Sequence, residues 1–203
     1  MRKKYYFLPL LLTALTIAAC GGGSYTNEET TTETTTETTN ETTYEESQGA
    51  AIINVAQTEQ QNEMYSPKVD TTYLYWINKK IVLKGATKCN IYALNILYKA
   101  GFKTPAVNAL TKDLVDTSRF KDIFPVVGIS EPESARKGDL IIWNGHVIIF
   151  ESIVKIKNDI YALAWWSGTR QADNGDNIIN NVCYGKYKLN GYYVVRRPLK
   201  KSG

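Results

Sequence analysis

The sequence predicts an α+β domain, helices first and an antiparallel sheet after them, behind a leader that has no core of its own. Three observations carry that prediction. From Cys89 the apolar positions Cys89, Ala93, Ile96, Leu97 and Ala100 recur at helical spacing, and Gly101 ends the run. After Pro132 the pattern changes to short stretches rich in Ile, Val, Tyr and Trp, the residue types that suit a pleated, half-buried surface. Residues 21–49 contain no Lys, Arg, Leu, Ile, Val or Phe at all. A chain that places helical runs before strand runs packs its helices on an antiparallel sheet.

The leader comes first. Met1-Arg2-Lys3-Lys4 is followed by an apolar run from Tyr5 to Ala19 and then Cys20. A basic start, a short apolar stretch and small residues before the break describe an export signal over residues 1–19, too short to span a bilayer comfortably. Leu15-Thr16-Ile17-Ala18-Ala19-Cys20 is similar to a bacterial lipobox, which implies an acylated Cys20 as the mature N-terminus and a membrane anchor without a spanning helix. The expected location is the cell envelope, on the outer membrane or the outer face of the plasma membrane. Residues 20–49 then read as a disordered tether. Its Glu-Thr-Thr-Thr pattern puts glutamates at 29, 33, 37 and 41, where they repel one another, and threonine is a poor helix former.

Residues 50–203 are one domain by length. They hold 21 basic and 13 acidic residues, a surplus of eight that suits an anionic polymer such as cell-wall material. Nucleic acid fits the charge but not an exported, lipid-anchored domain. Within this part Ala51–Gln57 reads as a first helix, and Tyr73–Ile77 as a short aromatic helix. Cys89 opens the clearest helix, and Asn108–Ser118 reads as a further short one. Asp139–Trp143, His146–Ile156, Ile160–Trp166 and Tyr192–Arg196 read as strands, with Lys157-Asn158-Asp159 as a hairpin turn between the second and third. In that layout the helix carrying Cys89 lies against the sheet carrying His146.

Those two residues are the candidate chemistry. His146 is the only histidine in the chain, and Cys89 is one of three cysteines. An imidazole that takes a thiol proton makes a nucleophile for acyl carbon. A helix start favours the thiolate further, with Lys88 as a neighbouring cation. A thiolate–imidazolium pair is therefore expected, with the Cys89 pKa well below the usual value of about 8.5. With Cys20 assigned to lipid, Cys183 reads as a buried or partly buried thiol rather than a disulfide partner. Asp173-Asn174-Gly175-Asp176-Asn177 lacks the closing Glu of a calcium loop and reads as a polar turn. Cys89 and His146 without a second ligand pair make zinc an unexpected guest. No metal or cofactor is expected, and the protein reads as a monomer.

These residues resemble the NlpC-type peptidases, papain-like cysteine hydrolases of the bacterial cell wall, and their CHAP amidase relatives. Cys89-Asn90-Ile91-Tyr92-Ala93 through Lys99-Ala100-Gly101-Phe102 is similar to the family's nucleophile helix. Arg136-Lys137-Gly138-Asp139-Leu140 with Gly145-His146-Val147 is similar to its Gly-Asp-Leu and Gly-His-Val blocks, and Tyr187–Arg197 to its closing strand. The resemblance covers roughly residues 50–198. It implies a papain-like domain, Cys89 as nucleophile, His146 as base and the peptide stem of peptidoglycan as substrate. Lys88 and Asn90 depart from the residues usual beside the cysteine. A third polar group that orients the histidine is expected on the strand after it. With Asn158-Asp159 as a two-residue turn, His146 faces Gln171, which can accept from an imidazole N–H; a bulge brings Ser167 there instead. The alternative to an enzyme is a catalytically inactive, lipid-anchored envelope-binding module of the same fold.

Overall fold

The structure is a computed structural model and describes residues 35–168 and 182–202, with residues 35–45 as backbone only. The export signal, Cys20, Gln171 and the Asp173–Asn177 turn lie outside the described residues. Two helices pack on one face of a six-stranded antiparallel sheet, so the α+β expectation holds.

Helix α1 (Thr35–Thr58) starts well before the expected Ala51 and takes in the second half of the segment expected to be disordered. Once Ile52, Ile53 and Ala56 are packed, extending the helix upstream adds one hydrogen bond per residue fixed, even through poor helix formers. Tyr73–Ile77 is not a helix. Thr71–Leu74 form strand β1, Tyr75–Ile77 a single 3-10 turn, and Lys79–Val82 strand β2, which pairs with β1 as a small separate hairpin. Asn78, at φ +48°, makes the reversal, and asparagine tolerates that left-handed conformation better than most side chains. Helix α2 (Cys89–Lys99) begins and ends where the spacing predicts, and Gly101 at φ +84° stops it. The expected helix over Asn108–Ser118 shrinks to α3 (Thr111–Val115).

The sheet runs β3 (Val126–Ile129), β8 (Val194–Arg196), β4 (Leu140–Trp143), β5 (His146–Ile156), β6 (Asp159–Ser167) and β7 (Val182–Lys188) from edge to edge. The closing strand expected over Tyr187–Arg197 is two strands. Tyr187 lies in the last residues of β7 at one edge, while Val194–Arg196 is inserted between β3 and β4. Leu140, Ile142, Val147, Ile149, Trp165 and Val182 face α1 and α2 and form the main core with Ile91, Tyr92, Leu94, Ile96 and Leu97. The alternate residues Ile141, Ile148, Phe150, Ala164, Trp166 and Val195 build a second apolar cluster on the opposite face, closed by Val127, Ala135 and Leu189.

The register between β5 and β6 differs from the expected one in two ways. The turn is Lys157-Asn158, since Ile156 pairs with Asp159, and Lys157 sits at φ +55°. A bulge at Glu151, between Phe150 and Ser152, then shifts the pairing by a further residue, so that Ile149 pairs with Trp165. Continued to the start of β5, that register puts Gly168 opposite His146.

Candidate active site

Cys89 is the first residue of α2 and is 4 % exposed. The helix starts there because Lys88 anchors it. The Lys88 ammonium is turned away into a turn, where it donates to the carbonyls of Met64 (2.6 Å), Ser66 (3.0 Å) and Val69 (2.6 Å), and the side chain is fully buried. Burial pushes its pKa down, opposed by Asp70. Lys88 is therefore a clamp on the helix start and not the cation expected beside the thiol. The Cys89 sulfur meets backbone N–H groups instead, those of Val147, Asn90 and Cys89 itself.

His146 opens β5 immediately after Gly145, whose φ of +109° makes the turn from β4. Strand alternation sets its ring with Ile148 and Phe150, on the side away from α2. There it stacks on Tyr187, with centroids 5.1 Å apart and 22° between the planes. Tyr187 in turn meets Trp143 at 5.1 Å and the edge of Trp166 at 5.3 Å. The chain segments that carry thiol and imidazole meet at the start of β5: the N–H of Val147, the next residue after His146, acts on the Cys89 thiol, while the His146 ring lies on the other face of the strand. Gly168 closes the same corner. A β-carbon built on it lies 3.5 Å from His146 Cε1 and 3.7 Å from Thr87 Cβ, two residues before Cys89.

A second link fixes the distance between the two chain segments. The Asn90 amide donates to Ala109 O at 2.9 Å, and the Gly145 N–H donates to the Thr111 hydroxyl at 3.1 Å. The stretch from Ala109 to Thr111 therefore straps the residue after Cys89 to the residue before His146.

The electrostatics differ from the expected ion pair. Burial pushes the Cys89 thiol up, and the three backbone N–H groups offset that only in part. Burial also holds His146 down at about 4. The buried His146 Nε2 has no hydrogen-bond partner among the described residues. Both groups rest uncharged, one as a thiol and the other as a neutral imidazole. The cause is the dry apolar surround, which penalises either charge before a reactant arrives.

The expected third residue is not found where the register argument placed it. Gln171 lies outside the described residues. Ser167, the alternative, is fully buried and its hydroxyl donates to Tyr65 O at 3.0 Å. Gly168 holds the position opposite the histidine. Cys183 is buried and belongs to the cluster on the far face of the sheet, away from the main core that holds Cys89. Sequence reasoning missed Tyr187, Thr111 and Gly168. The signal available was the aromatic residue at Tyr187 in a strand-like stretch, but the pairing of β6 with β7 that brings it to His146 spans chain with no local pattern.

Among the described residues no group of three or more His, Cys, Asp or Glu could hold a metal ion, and no helix is long and apolar enough to cross a membrane. Compared with protein-family models, with curated proteins and with solved structures, the chain matches none.

Proposed function

We propose that the protein is a papain-like cysteine hydrolase of the bacterial envelope, tethered through a lipidated Cys20 and cutting an amide bond in the peptide stem of peptidoglycan. The observation that carries this reading is that the starts of α2 and β5 meet: the N–H of Val147, next to His146, acts on the Cys89 thiol, and both the His146 ring and Thr87, two residues before Cys89, lie against Gly168. The resemblance of the Cys89 helix and of the Gly-Asp-Leu and Gly-His-Val blocks to NlpC-type peptidases supports it, as does the basic surplus of residues 50–203.

In this reading His146 takes the Cys89 proton as sulfur attacks the carbonyl carbon, and the N–H groups at the start of α2 stabilise the oxyanion. The carbon–nitrogen bond breaks, the amine leaves with the proton from the imidazolium, and Cys89 is left as a thioester. Water, deprotonated by His146, then releases the acid and restores the thiol. Because both groups rest neutral, the proton moves during attack and not before it.

A second reading has its own support. Cys89 is almost wholly covered, and a residue without a side chain stands opposite His146. Both features suit a catalytically inactive envelope-binding module. Digestion of purified peptidoglycan, with fragments identified by mass, separates the two. The hydrolase releases stem fragments with wild type and none with Cys89→Ala. Release by Cys89→Ala removes Cys89 as nucleophile, and sedimentation of intact protein with peptidoglycan without any release supports the module.

A further inference from the structure

The two ends of helix α2 lie at different places on the molecule. Its N-terminus carries Cys89; its C-terminus opens on a cavity of about 460 Å³. Phe102 and Lys103 bring the chain past Gly101 into the cavity wall, and Gly49 and Ile52 of α1, Gly138 and Asp139, and the segment from Arg197 to Lys200 complete it. Eleven helical residues at about 1.5 Å each set this cavity roughly 16 Å from the Cys89 corner. It is a separate place on the molecule.

The charges around it are unequal. Among the described residues Asp139 is the only carboxylate in the wall, and it is already matched: Arg197 donates to both its oxygens at 3.2 and 3.0 Å, and the Arg136 N–H donates at 2.8 Å. Lys103, Lys137 and Lys200 have no acidic partner among the described residues. Three lysines therefore line one recess together with the apolar residues Ile52, Phe102, Pro198 and Leu199. A cavity of this size is in the range of small-molecule sites.

We propose that this cavity binds a phosphate group carried on a small apolar stem. Ammonium groups act as point charges and suit a tetrahedral dianion approached from several sides. The guanidinium fork that would favour a planar carboxylate is taken, since Arg197 is spent on Asp139. The apolar residues take the stem.

The test uses phenyl phosphate as probe and benzoate as the carboxylate comparison, titrated calorimetrically into the full chain at low and high salt. Phenyl phosphate is expected to bind at least tenfold more tightly than benzoate, and more weakly as salt rises. The triple variant Lys103→Gln, Lys137→Gln, Lys200→Gln is expected to lose at least tenfold. Lys79→Gln, Lys80→Gln, Lys84→Gln, an equal charge change at and just after the β1–β2 hairpin, is expected to keep wild-type affinity. Backbone chemical shifts of the wild-type protein give a readout that does not depend on any variant folding, and are expected to move at residues 102–103, 137–139 and 197–200. No phenyl phosphate binding, benzoate binding equally well, equal loss in both triple variants, or shifts centred elsewhere would each overturn the proposal.

Discussion

His146 and Cys89 show how little of a site's chemistry is set by residue identity. The same pair in a wet, charged corner makes a thiolate and an imidazolium; here burial holds the histidine at about 4 and pushes the thiol up. The sequence displays both side chains and even their place at the start of a helix and a strand, but not the dryness around them. The single histidine makes the outcome measurable. Its ring proton signal is expected to titrate with a midpoint about 4, and alkylation of Cys89 by iodoacetamide is expected to rise only above the ordinary thiol range. A ring midpoint near 6.5, or fast alkylation persisting to neutral pH, would restore the ion pair. Stability follows the same signs. As pH falls from about 6.5 the unfolded chain takes up the histidine proton before the folded one, so the domain loses up to about 3 kcal/mol by about pH 4. As pH rises past the thiol range the unfolded chain ionises Cys89 first, and stability falls again. His146→Gln is expected to flatten the acid limb in urea denaturation.

At the scale of elements, α2 and the β5–β6 hairpin were read with unequal success, and the reason is physical. The Cys89 helix has a local signature, apolar spacing with a terminating glycine, and its limits were legible. A β-hairpin register depends on which two of Lys157-Asn158-Asp159 form the turn and on whether a bulge intervenes, and neither leaves a periodic trace. Two one-residue differences at the turn and at Glu151 moved the partner of His146 from Gln171 to Gly168. The turn itself can be tested. Lys157 pays for φ +55°, so Lys157→Gly is expected to raise stability by about 0.5–1 kcal/mol in denaturant titration; a loss would put the reversal elsewhere. The start of α2 was legible as a position but not as a construction. Its anchor, Lys88, reads in sequence as a cation beside the thiol, yet it joins three carbonyls of residues 64–69. Lys88→Met is expected to cost about 2–4 kcal/mol, because it leaves buried carbonyls without a donor. If Lys88→Met unfolds at the wild-type urea midpoint, the clamp is not what holds the helix.

For the whole molecule the decisive question is where the folded unit begins. Composition placed the boundary near residue 50, because the Glu/Thr segment offers nothing to bury; the backbone instead runs in one helix from Thr35. The two views meet at Gly49. It is buried, and a β-carbon there would lie 2.1 Å from the Lys137 carbonyl oxygen and 3.1 Å from Lys137 Cβ. A contact that short involves backbone and cannot be relieved by rotating a side chain, so only glycine lets α1 lie on the chain just before β4. Glu46, three residues upstream, is exposed. The helix therefore reaches the core by Gly49. Gly49→Ala normally strengthens a helix by up to about 1 kcal/mol; here it is expected to lower the melting temperature, by the several degrees that follow from a loss of about 2 kcal/mol or more. Removing residues 25–44 is expected to leave the melting temperature within a degree or two, since the packed part of α1 is intact. A stabilised Gly49→Ala variant would show that α1 stands off from Lys137, and a large loss on removal of residues 25–44 would show that these residues contribute to the core.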